Sequence, residues 1–307
     1  MTTASSAVLP QRSGEPTGSF FQRIDPRWYS STLLTSILVI GQWRFQILGD
    51  SYVPWLLALA TAVGTELLCW RLVRPGWPNL LSAYISGNSV AILLKPQNDV
   101  LWPFAVCAAI SILAKYVLAW RGRHLWNPTN FGVCALLALS ASQVSMLSHQ
   151  WGNDLAMVGV LWAIGLFTVW RARVWHLTLS WLAAFVFFAW LRSVIVPDGR
   201  FATEIAPVTG PMYQLFMFFM VTDPKTIVKG RAAQIVVVIL VAAVECGLRM
   251  LADFDVLSAD NPLRVAPPMY ALFLVGPPAL AWYLWRANPP APGTSAVPKA
   301  TGTRATT

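Results

Sequence analysis

The sequence predicts an all-α polytopic membrane protein with about ten transmembrane segments in two inverted five-segment repeats, each with one short or broken helix. Three observations predict this fold: the composition, the recurrence of apolar runs, and the sorting of charge between loops. Of 307 residues, 56% are hydrophobic and only 11% are charged. A soluble domain carries about a quarter charged residues, so this chain is composed for lipid as its solvent.

The apolar runs fall at 31–48, 53–73, 80–94, 101–119 and 127–147, then at 155–170, 174–196, 212–222, 232–251 and 268–285. Most approach the ~20 residues that cross ~30 Å of hydrocarbon. The third and eighth fall short. Little chain between the runs would suffice for a soluble domain. The expected organisation is one membrane repeat over 28–150 and a second over 151–287, with tails at 1–27 and 288–307. Both tails are rich in Ser, Thr and Pro, the composition of disordered chain. Residues 1–25 hold no apolar stretch ahead of a small-residue cleavage site, so no secretory signal peptide is expected.

Charge tests whether the short segments cross. If both do, one side gathers Arg71, Arg74, Arg121, Arg123, Arg171, Arg173, Lys225, Lys229, Arg231 and Arg286, together with the cations of both tails. The other side collects Asp50, Asp99, Asp154, Asp198, Glu204, Asp253, Asp255 and Asp260, with Lys95, Arg200 and Arg264 as its loop cations. If either short segment turned back, every later loop would change sides and the sorting would collapse. The positive-inside rule then places both termini in the cytoplasm of a multi-pass cell-membrane protein. The net charge of +9 reads as topology, and no nucleic-acid partner is expected.

An odd number of crossings per repeat makes the repeats inverted. Each short segment ends at a proline beside a lysine, Lys95-Pro96 and Pro224-Lys225, and an Asn-Pro pair precedes each final helix, Asn127-Pro128 and Asn261-Pro262. Interrupted segments at matching positions point to a midplane binding site. Their freed N–H and C=O groups must face a cavity, a ligand or protein, never lipid.

Polar residues in apolar context mark the candidates. Thr222, Asp223, Lys225 and Thr226 cluster at the end of the eighth segment, where hydroxyls, a carboxylate and an ammonium suit a ligand with ring-carbonyl, ribityl or phosphate groups. The plainer reading is a turn in which Asp223 caps the following N–H groups. Ser86, Gly87, Asn88 and Ser89 form the matching polar stretch of the third segment, with Gly87 and Asn88 its site candidates, or simply allow close helix packing. Asn127 and Asn130 open the fifth segment, Asn127 as a helix cap before Pro128. Glu66 and Glu245 are intramembrane acids and therefore candidates for a proton or ion role. Their alternatives are ion pairs with Lys115 and, four residues along one helix, with Arg249. The histidines, His124, His149 and His176, make no convincing haem pair. Cys69, Cys107, Cys134 and Cys246 lack CxxC spacing, so they read as packing residues and no metal site is expected. No nucleotide-binding or hydrolase motif stands in a plausible context.

The string Phe218-Phe219-Met220-Val221-Thr222-Asp223-Pro224-Lys225-Thr226, followed by Lys229-Gly230-Arg231, resembles the membrane subunit shared by ion-translocating ferredoxin:NAD oxidoreductase (RnfD) and sodium-pumping NADH:quinone reductase (NqrB). Arg173-Val174-Trp175-His176, Ser82-Ala83-Tyr84-Ile85-Ser86-Gly87 and Trp126-Asn127-Pro128-Thr129 look like further motifs of that family. The resemblance implies ten helices in inverted halves, bound flavin and electron transfer within a membrane complex. The family's covalent flavin sits on a threonine in a Ser/Thr-x-Ala-Thr-type motif within a long loop between the halves, and residues 148–154, the corresponding loop here, hold no such motif. Non-covalent flavin, FMN or riboflavin, near residues 222–226 and Asn127 is what the resemblance leaves.

Ile85-Ser86-Gly87-Asn88-Ser89, Asp223-Pro224-Lys225-Thr226 and the stretch 266–277 look closer still to UnbU-like membrane proteins of enediyne pathways. The expected function is an accessory membrane protein of enediyne-type secondary metabolism on a flavin- or quinone-linked electron-transfer scaffold. Redox or biosynthetic partners would dock on its cytoplasmic face. The alternatives are a transporter or channel for a small solute or pathway product, and a membrane anchor for biosynthetic enzymes. Whether the chain is itself an enzyme is open on these residues.

Overall fold

A computed structural model of the protein describes residues 26–140, 143–146 and 154–287. The expected tails lie outside the described residues, except that Pro26 and Arg27 already belong to the first helix, and so does all but Asp154 of the loop between the repeats. The first half comprises α1 (Pro26–Phe45), α2 (Val53–Val73), α3 (Leu81–Leu93), strand β1 (Leu94–Pro96), α4 (Trp102–Val117), the hairpin strands β2 (Ala119–Trp120) and β3 (Arg123–His124), α5 (Pro128–Ser140) and strand β4 (Val144–Met146). The second comprises α6 (Leu155–Arg171), α7 (Trp175–Ile195), α8 (Phe201–Ile205), α9 (Pro211–Leu215), a π-helical turn over Phe216–Met220, α10 (Arg231–Asp253), α11 (Pro262–Val265) and α12 (Pro267–Ala287).

This is an all-α membrane protein. Helices α2, α7 and α10 are long and apolar enough to cross a bilayer, and α3, α4, α5 and α6 are shorter apolar helices. Helix α2 is apolar on nearly every side, and size decides which face turns inward. On α2 the buried face is Pro54, Ala58, Ala62, Glu66 and Cys69, while Leu56, Leu68 and Leu72 are exposed. Small residues bring backbones together where lipid, as apolar as leucine, supplies no other drive for helices to associate. Packing follows the same order in each half: α2 lies on α4 and α4 on α5, as α7 lies on α10 and α10 on α12. Contacts of α1 with α6 and of α5 with α12 join the halves.

Two crossings are closed on glycine. A Cβ at Gly87 would stand 2.9 Å from Leu59 Cδ2 and 3.0 Å from Leu59 Cα, and one at Gly132 would stand 2.1 Å from Ser111 Oγ and 2.8 Å from the Cys107 carbonyl oxygen. Ser111 can rotate away, but the carbonyl cannot, so Gly132→Ala must push α5 off α4. The expected loss is about 3 kcal/mol, read as a lower thermal midpoint in detergent. Gly64→Ala, where nothing lies within 4 Å, serves as the control and should leave the midpoint unchanged.

The short helices are completed by extended chain. Helix α3 has 13 residues, about 20 Å of rise, and β1 adds about 10 Å. Together they match the ~30 Å of hydrocarbon. Extended backbone in apolar surroundings needs partners, and β4 provides them in antiparallel register: Leu94 opposite Met146, Lys95 opposite Ser145, and Pro96 opposite Val144. The sequence reading of one continuous segment over 127–147 is corrected here. Helix α5 stops at Ser140, because the chain beyond it is needed as the ladder for β1.

The connection from α4 to α5 also differs from a simple loop. Arg121 Nη1 donates to the Leu284 carbonyl near the end of α12 (2.5 Å), whereas Asn130 Nδ2 donates to the Met269 carbonyl in its first turn (3.0 Å). Those carbonyls are about four turns, ~22 Å, apart along α12. The chain from Arg121 to Asn130 therefore runs down α12, and α5 begins deep inside the bundle. In the second half, Asn261-Pro262 opens the short α11 rather than the final helix, which begins at Pro267. The eighth segment is not a regular helix either. It passes from α9 into a π turn closed by Val221 N–H donating to the Phe216 carbonyl (3.0 Å).

Candidate functional site

A cavity of about 250 Å³ lies where α3, the start of α5, the end of α6 and the π turn converge. Its wall on α3 is Ser82, Ser86 and Ser89, spaced four and three apart and so on one helix face. Asn127 and Thr129 come from the start of α5, Thr168 from α6, and Thr222, Asp223 and Lys225 from the loop after the π turn. Ile85, Phe218 and Phe219 supply apolar surface. Asp223 and Lys225 are the only charged residues among the described lining.

Asp223 organises the loop. Its Oδ2 accepts from Asn127 Nδ2 (3.0 Å) and from Thr226 Oγ1 (3.2 Å), and its Oδ1 accepts from the Lys225 backbone N–H (3.0 Å). The carboxylate thus forms a local turn and also ties the second half to the first. Thr222 is buried and its hydroxyl donates to the Phe218 carbonyl (2.6 Å), one turn back.

Beyond Asp223 the backbone leaves helical geometry, and a side chain satisfies its carbonyls. Arg123, on β3, donates from Nε to Lys225 O (3.1 Å) and from Nη2 to the carbonyls of Pro224 (3.2 Å), Lys225 (2.8 Å) and Ile227 (2.8 Å). One guanidinium does for the second half what β4 does for the first. Beside it, His124 Nδ1 meets the Lys115 carbonyl at 3.1 Å, which fixes Nδ1 as the protonated nitrogen. Burial, then the charges of Lys225 and Lys115, push the imidazole below its ordinary pKa, so it is neutral at pH 7.

The proposed site residues separate on this geometry. Asn127, Thr222, Asp223 and Lys225 reach the cavity wall, and Thr226 supports Asp223 from behind. Asn130 knits α5 to α12, its own N–H donating to Asn127 Oδ1 (3.1 Å), and its buried Oδ1 has no hydrogen-bond partner among the described residues. Asn88 accepts from Trp55 Nε1 (2.6 Å) and donates to Thr35 Oγ1 (3.1 Å), joining α3 to α2 and α1, and Gly87 faces α2. None of these three lines the cavity.

Glu66 and Glu245 also stand apart from it. Glu66 meets Lys115 Nζ at 2.5 Å and accepts from Tyr116 OH at 3.0 Å. Glu245 accepts from Tyr213 OH (2.7 Å) and lies 3.5 Å from Arg249 Nη1. Arg249 continues to Glu204 (3.4 Å), and Arg192 bridges Glu204 and Asp253 at 2.5 Å each. Among the described residues, no group of three or more His, Cys, Asp or Glu side chains could hold a metal ion.

No known family model matches the chain. Over 87 residues it is 33% identical to a subunit of the ion-translocating oxidoreductase complex of Pectobacterium atrosepticum. Part of this chain is similar to that protein. The match covers 28% of this chain and 23% of the relative, so the likeness belongs to a segment and not to either whole protein.

Sequence reasoning missed Arg123, Ser82 and Thr168, and of the polar cluster 86–89 it favoured Gly87 and Asn88 over Ser86 and Ser89, which are the two that line the cavity. The serines carried a signal, since positions 82, 86 and 89 repeat at helical spacing within an apolar run. Arg123 carried none, because Arg-Gly-Arg at a loop reads as a topology marker.

Proposed function

We propose that the chain is the membrane subunit of an electron-transport complex, with about ten spans in two inverted halves and both termini cytoplasmic. In this reading its cavity holds a non-covalently bound flavin or quinone ring. The observation that carries the proposal is the bond from Asn127 to Asp223 across a cavity bounded by both interrupted helices. The matching packing order of the halves and the partial likeness to an ion-translocating oxidoreductase component support it.

The lining fits a neutral ring better than a phosphorylated one. Phe218 and Phe219 offer apolar surface, and Ser86, Ser89 and Thr129 offer hydroxyls for ring oxygens and nitrogens. A volume near 250 Å³ falls just below the ~300–1,000 Å³ of pockets for drug-sized ligands, enough for a ring system without a long polar tail. A phosphate would meet one cation, Lys225, with Asp223 opposing it. A quinone head, or a flavin ring whose ribityl chain leaves the cavity, is therefore favoured over FMN held whole. When bound, such a ring accepts and returns electrons. Lys225 would donate to a ring carbonyl, and Asp223 would hold Asn127 and the loop in place. Redox or biosynthetic partners would dock on the basic end of the bundle. A place in enediyne-type secondary metabolism rests on the strings at 85–89, 223–226 and 266–277 alone.

The test is the visible spectrum of protein purified in mild detergent, with extraction of bound flavin and quinone. A bound or readily added ring is expected, with affinity falling about ten-fold or more in Asp223→Ala, the loss of at least one charge-assisted hydrogen bond. Colourless protein that takes up neither class would overturn the reading. Solute flux in proteoliposomes without redox partners, abolished by Asp223→Ala, would establish the transporter instead.

A further inference from the structure

We infer that the tip of the β2–β3 hairpin and the end of α12 together form a docking site for the headgroup of an anionic phospholipid. The site is built from two distant parts of the chain. Ala119 pairs with His124 and Trp120 with Arg123, leaving the two-residue loop Arg121-Gly122. Both loop residues have positive φ, 50° and 76°, the geometry that matches strand twist in a tight hairpin. That turn places Arg121 at the exposed tip, where its Nη1 is bonded to the Leu284 carbonyl.

Two residues beyond Leu284 stands Arg286, its guanidinium carbon 4.8 Å from the Trp282 ring centroid. Arg121 lies in the same way over Trp120, at 5.2 Å. The rings of Trp282 and Trp285 stand 5.4 Å apart and remain 56% and 49% exposed. None of the ion pairs among the described residues involves Arg286.

This surface offers a guanidinium outside those ion pairs, that of Arg286, and two half-exposed indoles; an anion suits the first and apolar cover the second. A soluble anion supplies only the first. An anionic phospholipid supplies both, its phosphate taking the forked N–H donors of arginine and its acyl chains lying along tryptophans at the level of the headgroups. Stacking on the indoles leaves each guanidinium pre-oriented, so little side-chain freedom is lost on binding. The site also bears on the cavity. Arg123, two residues past the tip, clamps the carbonyls of residues 224–227, so a lipid that steadies the hairpin steadies the cavity wall. The lipid site itself does not depend on the redox reading.

The experiment measures the thermal midpoint of full-length protein in detergent with added phosphatidylglycerol, phosphatidylcholine or soluble glycerol 3-phosphate. Phosphatidylglycerol is expected to raise the midpoint about 3 °C above the response to phosphatidylcholine. Arg121→Gln/Arg286→Gln should lose that increment, whereas Arg200→Gln, at an exposed position elsewhere, should keep it. Arg286→Gln alone leaves the Arg121–Leu284 bond in place and should lose part of it. An equal response to phosphatidylcholine, a full response to glycerol 3-phosphate, or an undiminished increment in the double variant would each overturn the inference.

Discussion

Arg123→Ala is expected to cost about 3 kcal/mol or more of stability and to release the loop that walls the cavity. The arginine makes four hydrogen bonds to three backbone carbonyls, those of Pro224, Lys225 and Ile227. Bonds from a charged donor contribute ~1.5–3 kcal/mol each, though bonds from one group do not simply add. The larger part of the effect comes from what is left behind. The three carbonyls follow a broken helix, so no intrahelical N–H waits for them, and an unpaired carbonyl in an apolar surround is itself unfavourable. Arg123→Lys keeps the charge but not the planar fork, so it should recover only part of the loss. Unfolding in detergent measures the stability, and ring occupancy measures the cavity. A variant that unfolds at the wild-type midpoint with its ligand retained would show that the clamp is dispensable.

The segments were legible because lipid as solvent makes spanning helices long and apolar, and that signal is strong in any sequence. α2 falls at 53–73 as read, and α3, α4, α6, α7, α10 and α12 differ by a residue or two at their ends. What escaped was the extended chain. β1 and β4 have three residues each, too few for alternation to be seen, and Val144-Ser145-Met146 is as apolar as the helix before it. The dip of residues 121–130 along α12 escaped for a related reason, since its turn chemistry is that of any surface loop. The site was half legible. Asn88 and Asn127 are the same residue type in similar apolar surroundings, yet one joins three helices and the other faces the cavity. On a soluble helix the polar face would say which way each points. Here both faces are apolar, one for lipid and one for the core, and orientation is decided by neighbours distant in sequence, such as Trp55 for Asn88 and Asp223 for Asn127.

The same distant pairing governs the second large effect, at Glu66. Its carboxylate and the Lys115 ammonium are each about 6% exposed and meet at 2.5 Å, with Tyr116 OH on the other oxygen. Glu66→Ala would leave the ammonium buried without a counter-charge, and breaking a buried pair this way destabilises by ~3–5 kcal/mol. Replacing both, as Glu66→Leu/Lys115→Met, removes the stranded charge along with its partner and is expected to return most of that stability. The double variant therefore separates two roles that the sequence left open. A structural pair needs only its charges balanced or removed together, so the double variant should fold with near-wild-type stability and retain whatever the cavity binds. A proton carrier needs the carboxyl group itself, so the double variant would be stable and yet lose any proton movement coupled to turnover. Thermal unfolding of both single variants and the double gives the coupling energy. Proton uptake in proteoliposomes made from the stable double variant then decides the role: undiminished uptake assigns Glu66 to structure, and its loss assigns Glu66 to proton transfer.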